Sequence, residues 1–385
     1  MSDRASGLFK DTASSGDRAR VVLLLQDLKF GGTQRQALEL ARGLDRSLFA
    51  VELWVMQAGD DFVPFAERHG LKIVWLGRGS YVWPPALFGL WRQLWRQRPH
   101  VILMMTGIPN IWGRLLGWRS GGPVLVGSIR GSQDPDRQHE RWLWSFAHHH
   151  VCNAFSLKEL LMRLCPIADG RVSVIPNGVD LDRYEQVVRP GNGHRRVLLC
   201  LGRLVPEKDH LSLISAFEQI APSHPEAELL IVGDGPLRDS LARRIEQSPV
   251  RHLIVLRPGR HEVETLLADA WCLVLPSRHE GLPNVVLEAM ASGVPVVASA
   301  LPGVEEVLGG GTGLLVPPGD VDALAGSLRS ILVDPDLKRD LGQRARVRVR
   351  ERYGLETMAS SYENLFRRLI SDHLPREAQP WQGVG

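Results

Sequence analysis

The residues best placed for chemistry are two carboxylates and two cations. Glu280 and Glu288 lie in the run Pro276-Ser-Arg-His-Glu-Gly-Leu-Pro-Asn-Val-Val-Leu-Glu-Ala-Met-Ala-Ser-Gly-Val-Pro-Val-Val-Ala-Ser299. Apolar residues end in a Pro-Ser loop, and a helix is predicted to begin near Pro283, a residue favoured in first turns. An ionised glutamate there offers several acceptor sites to hydroxyl groups. The exposed N–H groups at the helix start, aided by its dipole, suit an anion such as phosphate. Arg203 and Lys208 lie in Leu201-Gly-Arg-Leu-Val-Pro-Glu-Lys208, again just after an apolar run. A guanidinium fork and an ammonium point charge around one loop can neutralise phosphate oxygens. Each feature alone is equally at home as ordinary helix or loop charge.

The elements that must position these groups are strands and helices in alternation. Runs at 21–25, 51–56, 73–76, 101–104 and 124–128 are mainly apolar, as parallel strands buried on both faces are. Helical patterns such as 34–44 and 85–97 separate them, giving an α/β doubly wound domain. A Pro-Gly-Asn-Gly linker falls at 189–196, after which strands are predicted at 197–201, 228–232, 253–256, 272–276, 294–298 and 313–316. One long helix is predicted over 336–370. The 385 residues fit two domains of about 100–200 residues each. They are placed at 21–190 and 191–355, after an unstructured start at 1–20 and before a fraying tail beyond about 371, with a C-terminal helix near 356–371 packing back on the first. In such sheets ligands sit at the carboxyl ends of strands, here in a cleft between the domains.

Composition excludes several classes. No run approaches the ~18 apolar residues of a membrane span, and no signal-peptide pattern opens the chain. Cys152, Cys165, Cys200 and Cys272 form no C-x-x-C pair, so they are expected as buried thiols of a cytoplasmic protein. Three Asp-x-Asp triplets, starting at Asp134, Asp180 and Asp334, sit in turn contexts, and His148-His149-His150 lacks a carboxylate at useful spacing. No metal and no other cofactor is expected, and no G-x-G-x-x-G fingerprint suggests a nicotinamide. Net charge is +3, without the dense basic clusters of a nucleic-acid binder.

The Glu280-to-Ser299 run resembles the signature of glycosyltransferase family 4, retaining enzymes of GT-B fold. The resemblance implies two Rossmann-like domains, the second binding a nucleotide-sugar and the first an acceptor. It implies that Glu280 meets the transferred sugar, Glu288 the ribose, and Gly281 and Leu282 the donor through backbone N–H groups. The Gly-Arg-Leu-x-x-x-Lys spacing resembles the family's diphosphate clamp, so Arg203 and Lys208 would stabilise the leaving group. Gly31-Gly32 resembles the family's N-terminal glycine loop, with Gly32 near the donor. Ile175-Pro-Asn-Gly-Val-Asp180 also matches and is expected to be a structural turn. Val232-Gly-Asp-Gly-Pro236 ends a strand, either touching the donor or simply turning the chain.

Many relatives place a histidine after the strand at 124–128, whereas this chain has Ser128-Ile129-Arg130-Gly131. Arg130 stays protonated and cannot act as a base, but it can hold a donor or acceptor phosphate. The implied reaction moves a hexose to a glycan or polyprenyl-phosphate-linked acceptor in cell-surface polysaccharide synthesis. An epimerase or phosphorylase of the same architecture, or an inactive sugar-nucleotide-binding protein, are the alternatives. Nine of the 11 tryptophans lie between Trp54 and Trp144, and no acidic residue occurs between Glu67 and Asp134. Trp91 and Trp95, beside Arg92, Arg96 and Arg98, suit a helix resting on the anionic inner face of the plasma membrane. The same tryptophans would equally serve as core, with the arginines as a solvated rim.

Overall fold

A computed structural model describes residues 18–131, 139–185, 195–259 and 263–374. The Asp134-Pro-Asp136 triplet, the start of the chain to residue 17, most of the linker at 189–196 and most of the tail lie outside these residues. Chain contacts divide the molecule into two units. The first runs to Gly178 and takes up the chain again at Leu355. The second is continuous from Val179 to Gly354.

The first unit holds seven strands: β1 Ala19–Leu25, β2 Phe49–Val55, β3 Lys72–Trp75, β4 Val101–Met104, β5 Val124–Ile129, β6 His149–Cys152 and β7 Val172–Val174. Their order is β3-β2-β1-β4-β5-β6-β7, and every pairing is parallel. Because strand side chains alternate, the apolar runs feed two cores. Val21, Leu23 and Leu25 join helices Gly32–Gly43 and Leu355–His373 on one face. Val22 and Leu24 join helix Pro84–Gln97 on the other.

The second unit holds β8 Arg196–Leu201, β9 Ala227–Val232, β10 Ile254–Arg257, β11 Ala270–Leu275, β12 Val296–Ser299 and β13 Leu314–Val316, ordered β10-β9-β8-β11-β12-β13 and again all parallel. Alternation repeats: Leu199 and Leu201 pack with helix Asn284–Ala291, while Leu198 and Cys200 pack with helix His210–Ile220. All four cysteines are buried free thiols. Burial pushes Cys152, Cys200 and Cys272 up to about 12.

Two sequence expectations need correction. The single helix over 336–370 is two, Pro335–Arg352 and Leu355–His373, which belong to different units. The helical ladder stops where the Tyr353 carbonyl accepts from the Val179 N–H at 2.8 Å and Gly354 pairs with Val179 in parallel. The histidine triplet does have a carboxylate in space. His150 Nε2 lies 3.7 Å from Glu140 Oε2, and both side chains are fully buried. That carboxylate is already engaged by Arg114, whose two terminal nitrogens reach it at 2.7 and 2.8 Å. His149 turns to the opposite face and meets Ser173 Oγ at 2.8 Å, so the two rings do not converge.

Burial also holds several histidines neutral. His100, His149 and His210 are each pushed down to about 4 from an ordinary 6.5, chiefly by desolvation and then by neighbouring cations. Protonation favours the unfolded chain at these sites, so their stabilisation is complete above 6.5 and is lost as pH falls toward 4. The melting temperature, followed from neutral to acid buffer, should drop steeply across that window. His100→Asn should flatten the drop, because its Nδ1 only accepts the Arg20 N–H at 2.8 Å.

Candidate functional site

In the second sheet, consecutive strands step one way from β8 to β9 and β10. They then restart on the other side of β8 with β11. The loops leaving β8 and β11 therefore flank the topological switch point, where open α/β sheets bind ligands. These two loops are the ones that carry Arg203 and Lys208, and Glu280.

The loops are fastened to each other. Lys208 Nζ donates to Glu280 Oε1 in an ion pair that is mostly buried. Ser277 Oγ, itself without solvent exposure, donates to the same carboxylate oxygen at 2.7 Å. Arg278 N donates to Glu207 O at 2.8 Å, and Arg278 Nε to Asp209 Oδ2 at 2.8 Å. Asp209 adopts a left-handed backbone (φ 46°) and caps helix His210–Ile220 by accepting from Ser212 N at 3.4 Å, and it also accepts from Ser212 Oγ at 2.8 Å. Its carboxylate thus orients both the helix start and the loop beside Glu280.

Close backbone packing shapes the floor. A Cβ on Gly233 would be driven into the Gly202 carbonyl oxygen, and one on Gly303 into the Gly281 carbonyl oxygen. Glycine is required at both positions for the loops after β8 and β9, and after β11 and β12, to touch. Leu204 N donates to Asp234 O at 2.9 Å, which lays the clamp loop on the turn Val232-Gly-Asp-Gly-Pro236. Arg203 is exposed, and among the described residues its guanidinium meets no partner. Gly281 and Leu282 are buried at the entry to helix Asn284–Ala291, and Glu288, within that helix, is only 9% exposed. The second unit thus gathers Arg203, Lys208, Glu280, Gly281, Leu282 and Glu288 around two neighbouring loops and the helix that follows.

In the first unit, Gly32 opens helix Gly32–Gly43 after β1. The loop before it is held by Asp27, whose carboxylate accepts from Gln34 Nε2 at 2.8 Å and Gln57 Nε2 at 3.2 Å. Gln36 is buried and exchanges two hydrogen bonds with the Gly178 backbone, at 2.8 and 3.0 Å. Arg130 follows β5, and each of its three nitrogens donates inside the unit: Nε to Ser128 Oγ at 2.8 Å, Nη1 to Asn177 Oδ1 at 2.9 Å, and Nη2 to Tyr362 Oη at 2.7 Å. It fastens β5, the Ile175-to-Asp180 turn and the last helix together. These three bonds use three of its five N–H donors.

Sequence reasoning passed over Ser277, Asp209 and Arg278. Ser277 carried no signal beyond standing three residues before Glu280. Ser277→Ala should lower turnover roughly tenfold, the scale of one hydrogen bond to a charged group. Donor affinity and melting temperature should change little, and steady-state kinetics beside a thermal melt would check this.

The chain is similar to known proteins over most of its length. Residues 30–183 match the model described as Glycosyltransferase Family 4, and residues 185–348 the model described as Glycosyl transferases group 1. A GDP-mannose-dependent alpha-(1-6)-phosphatidylinositol monomannoside mannosyltransferase of Mycolicibacterium smegmatis is 36% identical over 287 residues, covering 70% of this chain and 69% of the relative. The glycogen synthase of Mycobacterium tuberculosis is 32% identical over 276 residues, and the match spans 70% of this chain but only 63% of that enzyme's length. Among solved structures, HepE of Anabaena in complex with UDP superposes with a TM-score of 0.79 at 20% identity, covering 91% of this chain and 100% of that one. That likeness speaks to the fold, and the fold is GT-B. With its two halves matched in order and a relative covered over more than two thirds of its length, the chain belongs to glycosyltransferase family 4.

Proposed function

We propose that the protein transfers a hexose, with retention at the anomeric carbon, from a nucleotide-sugar to a glycan or polyprenyl-phosphate-linked acceptor in cell-surface polysaccharide synthesis. The second unit takes the donor and the first the acceptor. Lys208 and Arg203 neutralise the diphosphate as the glycosidic bond breaks, when negative charge grows on the leaving group. Glu280 orients the transferred sugar and Glu288 the ribose, while the backbone at Gly281 and Leu282 meets donor oxygens; Gly32 is a further donor-binding position. Arg130 offers its remaining donors to a phosphate.

The observation that carries the reading is the Lys208–Glu280 pair at the switch point of the second sheet. A cation and a carboxylate there form one bipolar site, suited to a ligand with a diphosphate at one end and hydroxyls at the other. The relatives add support: the mycolicibacterial enzyme's name joins a GDP-sugar to a phosphatidylinositol-linked acceptor, and HepE was crystallised with UDP.

The reading includes no metal cofactor. Asp334 uses its carboxylate to cap helix Pro335–Arg352, accepting from Asp336 N at 3.0 Å and Leu337 N at 2.9 Å, and Asp180 Oδ1 accepts from Arg183 N at 3.4 Å. The chain would work in the cytoplasm, at the inner face of the plasma membrane. Among the described residues no helix is long and apolar enough to cross a membrane.

Thermal melts against a panel of UDP-, GDP- and ADP-sugars test the donor assignment, since a ligand that binds the native state raises its apparent stability. One nucleotide series should raise the midpoint. NMR of the product made from that donor should then show the donor's anomeric configuration. Inversion, or no shift with any nucleotide sugar, would refute the reading.

A further inference from the structure

The helix Pro84–Gln97 has a second face that the donor chemistry does not use. Its inward positions Ala86, Leu90 and Leu94 are at most 3% exposed and belong to the core. The opposite side does not turn polar. Phe88, Trp91 and Trp95 stand 61%, 46% and 52% exposed at helical spacings of three and four. Their rings touch in series, with centroids 5.7 and 6.4 Å apart. Tyr81 and Trp83 extend the aromatic surface at the helix entry, and both are exposed. The expectation that these indoles are core is therefore excluded for Trp91 and Trp95.

Beside the aromatic stripe runs a cationic one. Arg92 and Arg96 are exposed one turn apart, and Arg98 closes the helix. Among the described residues none of the three side chains has a carboxylate partner, and no acid occurs in the sequence from 68 to 133. Two parallel stripes along one helix, large aromatics and then arginines, match an extended anionic plane with an apolar layer beneath it. Indoles partition to the headgroup level of a bilayer, and arginines meet its phosphates. An aqueous face of this kind would otherwise be an aggregation liability.

We propose that the outward face of Pro84–Gln97 docks the chain on an anionic lipid bilayer, with Phe88, Trp91 and Trp95 seated at headgroup depth and Arg92, Arg96 and Arg98 on lipid phosphates. This deepens the membrane-side reading of the acceptor and rests on it only for its purpose, since the residues are separate from the donor site.

Flotation of the full chain with vesicles of equal parts phosphatidylcholine and phosphatidylglycerol, against phosphatidylcholine alone, tests it. The chain should float with the anionic vesicles and lose binding as salt rises. Arg92→Gln/Arg96→Gln should weaken the partition about thirtyfold. Phe88→Ser/Trp91→Ser/Trp95→Ser should abolish it, along with quenching of tryptophan fluorescence by brominated acyl chains. Surface substitutions of this kind leave the melt in place, and a melt of each variant checks that. Absence of flotation at moderate salt overturns the proposal, and so does flotation that both variants leave intact. Wild-type self-association that the serine variant alone removes, without flotation, would give the face to a second copy and also overturn it. Melts with UDP and GDP separate the two readings. A chain that binds nucleotide but ignores vesicles loses the docking face and keeps glycosyl transfer; one that floats but binds no nucleotide does the reverse.

Discussion

Lys208→Ala is expected to lower turnover by about a hundredfold to a thousandfold, the scale seen when one preorganised donor to a developing anion is removed. The melting temperature should fall less than in a variant of a fully buried pair, because the Lys208 and Glu280 side chains keep 21% and 10% exposure and Ser277 still donates to the carboxylate. Glu280→Gln should fall by a similar factor while keeping its hydrogen bond from Ser277. The two groups touch, so their effects should not add. The double variant Lys208→Ala/Glu280→Gln should be only slightly slower than either single one. Additive losses would mean that the two groups act on separate steps, and near-normal rates in Lys208→Ala would refute the clamp altogether. Steady-state rates with the donor identified by thermal melts would decide.

The second large effect is on stability. Arg114 and Glu140 form a bidentate pair in which neither side chain is exposed to solvent, and Asn110 Oδ1 accepts from the same guanidinium at 3.0 Å. Arg114→Met leaves the Glu140 carboxylate buried without its cation, at a cost of about 3–5 kcal/mol. For a unit of this size that is roughly a 10 °C fall in melting temperature. Arg114→Met/Glu140→Leu should recover most of the loss, since an apolar pair of similar volume avoids desolvating two charges. The single variant also has a pH signature. Burial first, and then Arg114, hold His150 well below its ordinary range. Once the arginine is gone, the ring can take a proton and face Glu140 as a cation, so the deficit should shrink in mildly acidic buffer. Calorimetry of the three proteins at two pH values would test each part.

How much of this was legible in the sequence depended on how local the signal was. All six strands of the second unit announce themselves as mainly apolar runs, because strands in a sheet covered by helices on both faces are apolar over most of their length. β6 and β7 did not, because His149-His150 reads as polar and Ser173 interrupts the short run Val172–Val174. The break between the last two helices was marked by Gly354, yet helical periodicity on either side concealed it. The candidate site divides the same way. Glu280, Arg203 and Lys208 stood out by residue type and position after a strand. Their contact could not, because Lys208 and Glu280 are 72 residues apart and only the strand order brings β8 beside β11. Arg130 is the extreme case. One of its partners lies 47 residues away and another 232, so no local pattern could show that it is a fastener first.

The return of helix Leu355–His373 to the first unit bears on how the molecule is made. The first sheet lies entirely before residue 179, yet its core includes Met358, Tyr362, Phe366 and Ile370 from the far end of the chain. During synthesis, the continuous second unit leaves the ribosome complete while the first still exposes the groove those side chains will fill. Folding would thus run in reverse of sequence order, with the earlier-made sheet the last to close its core.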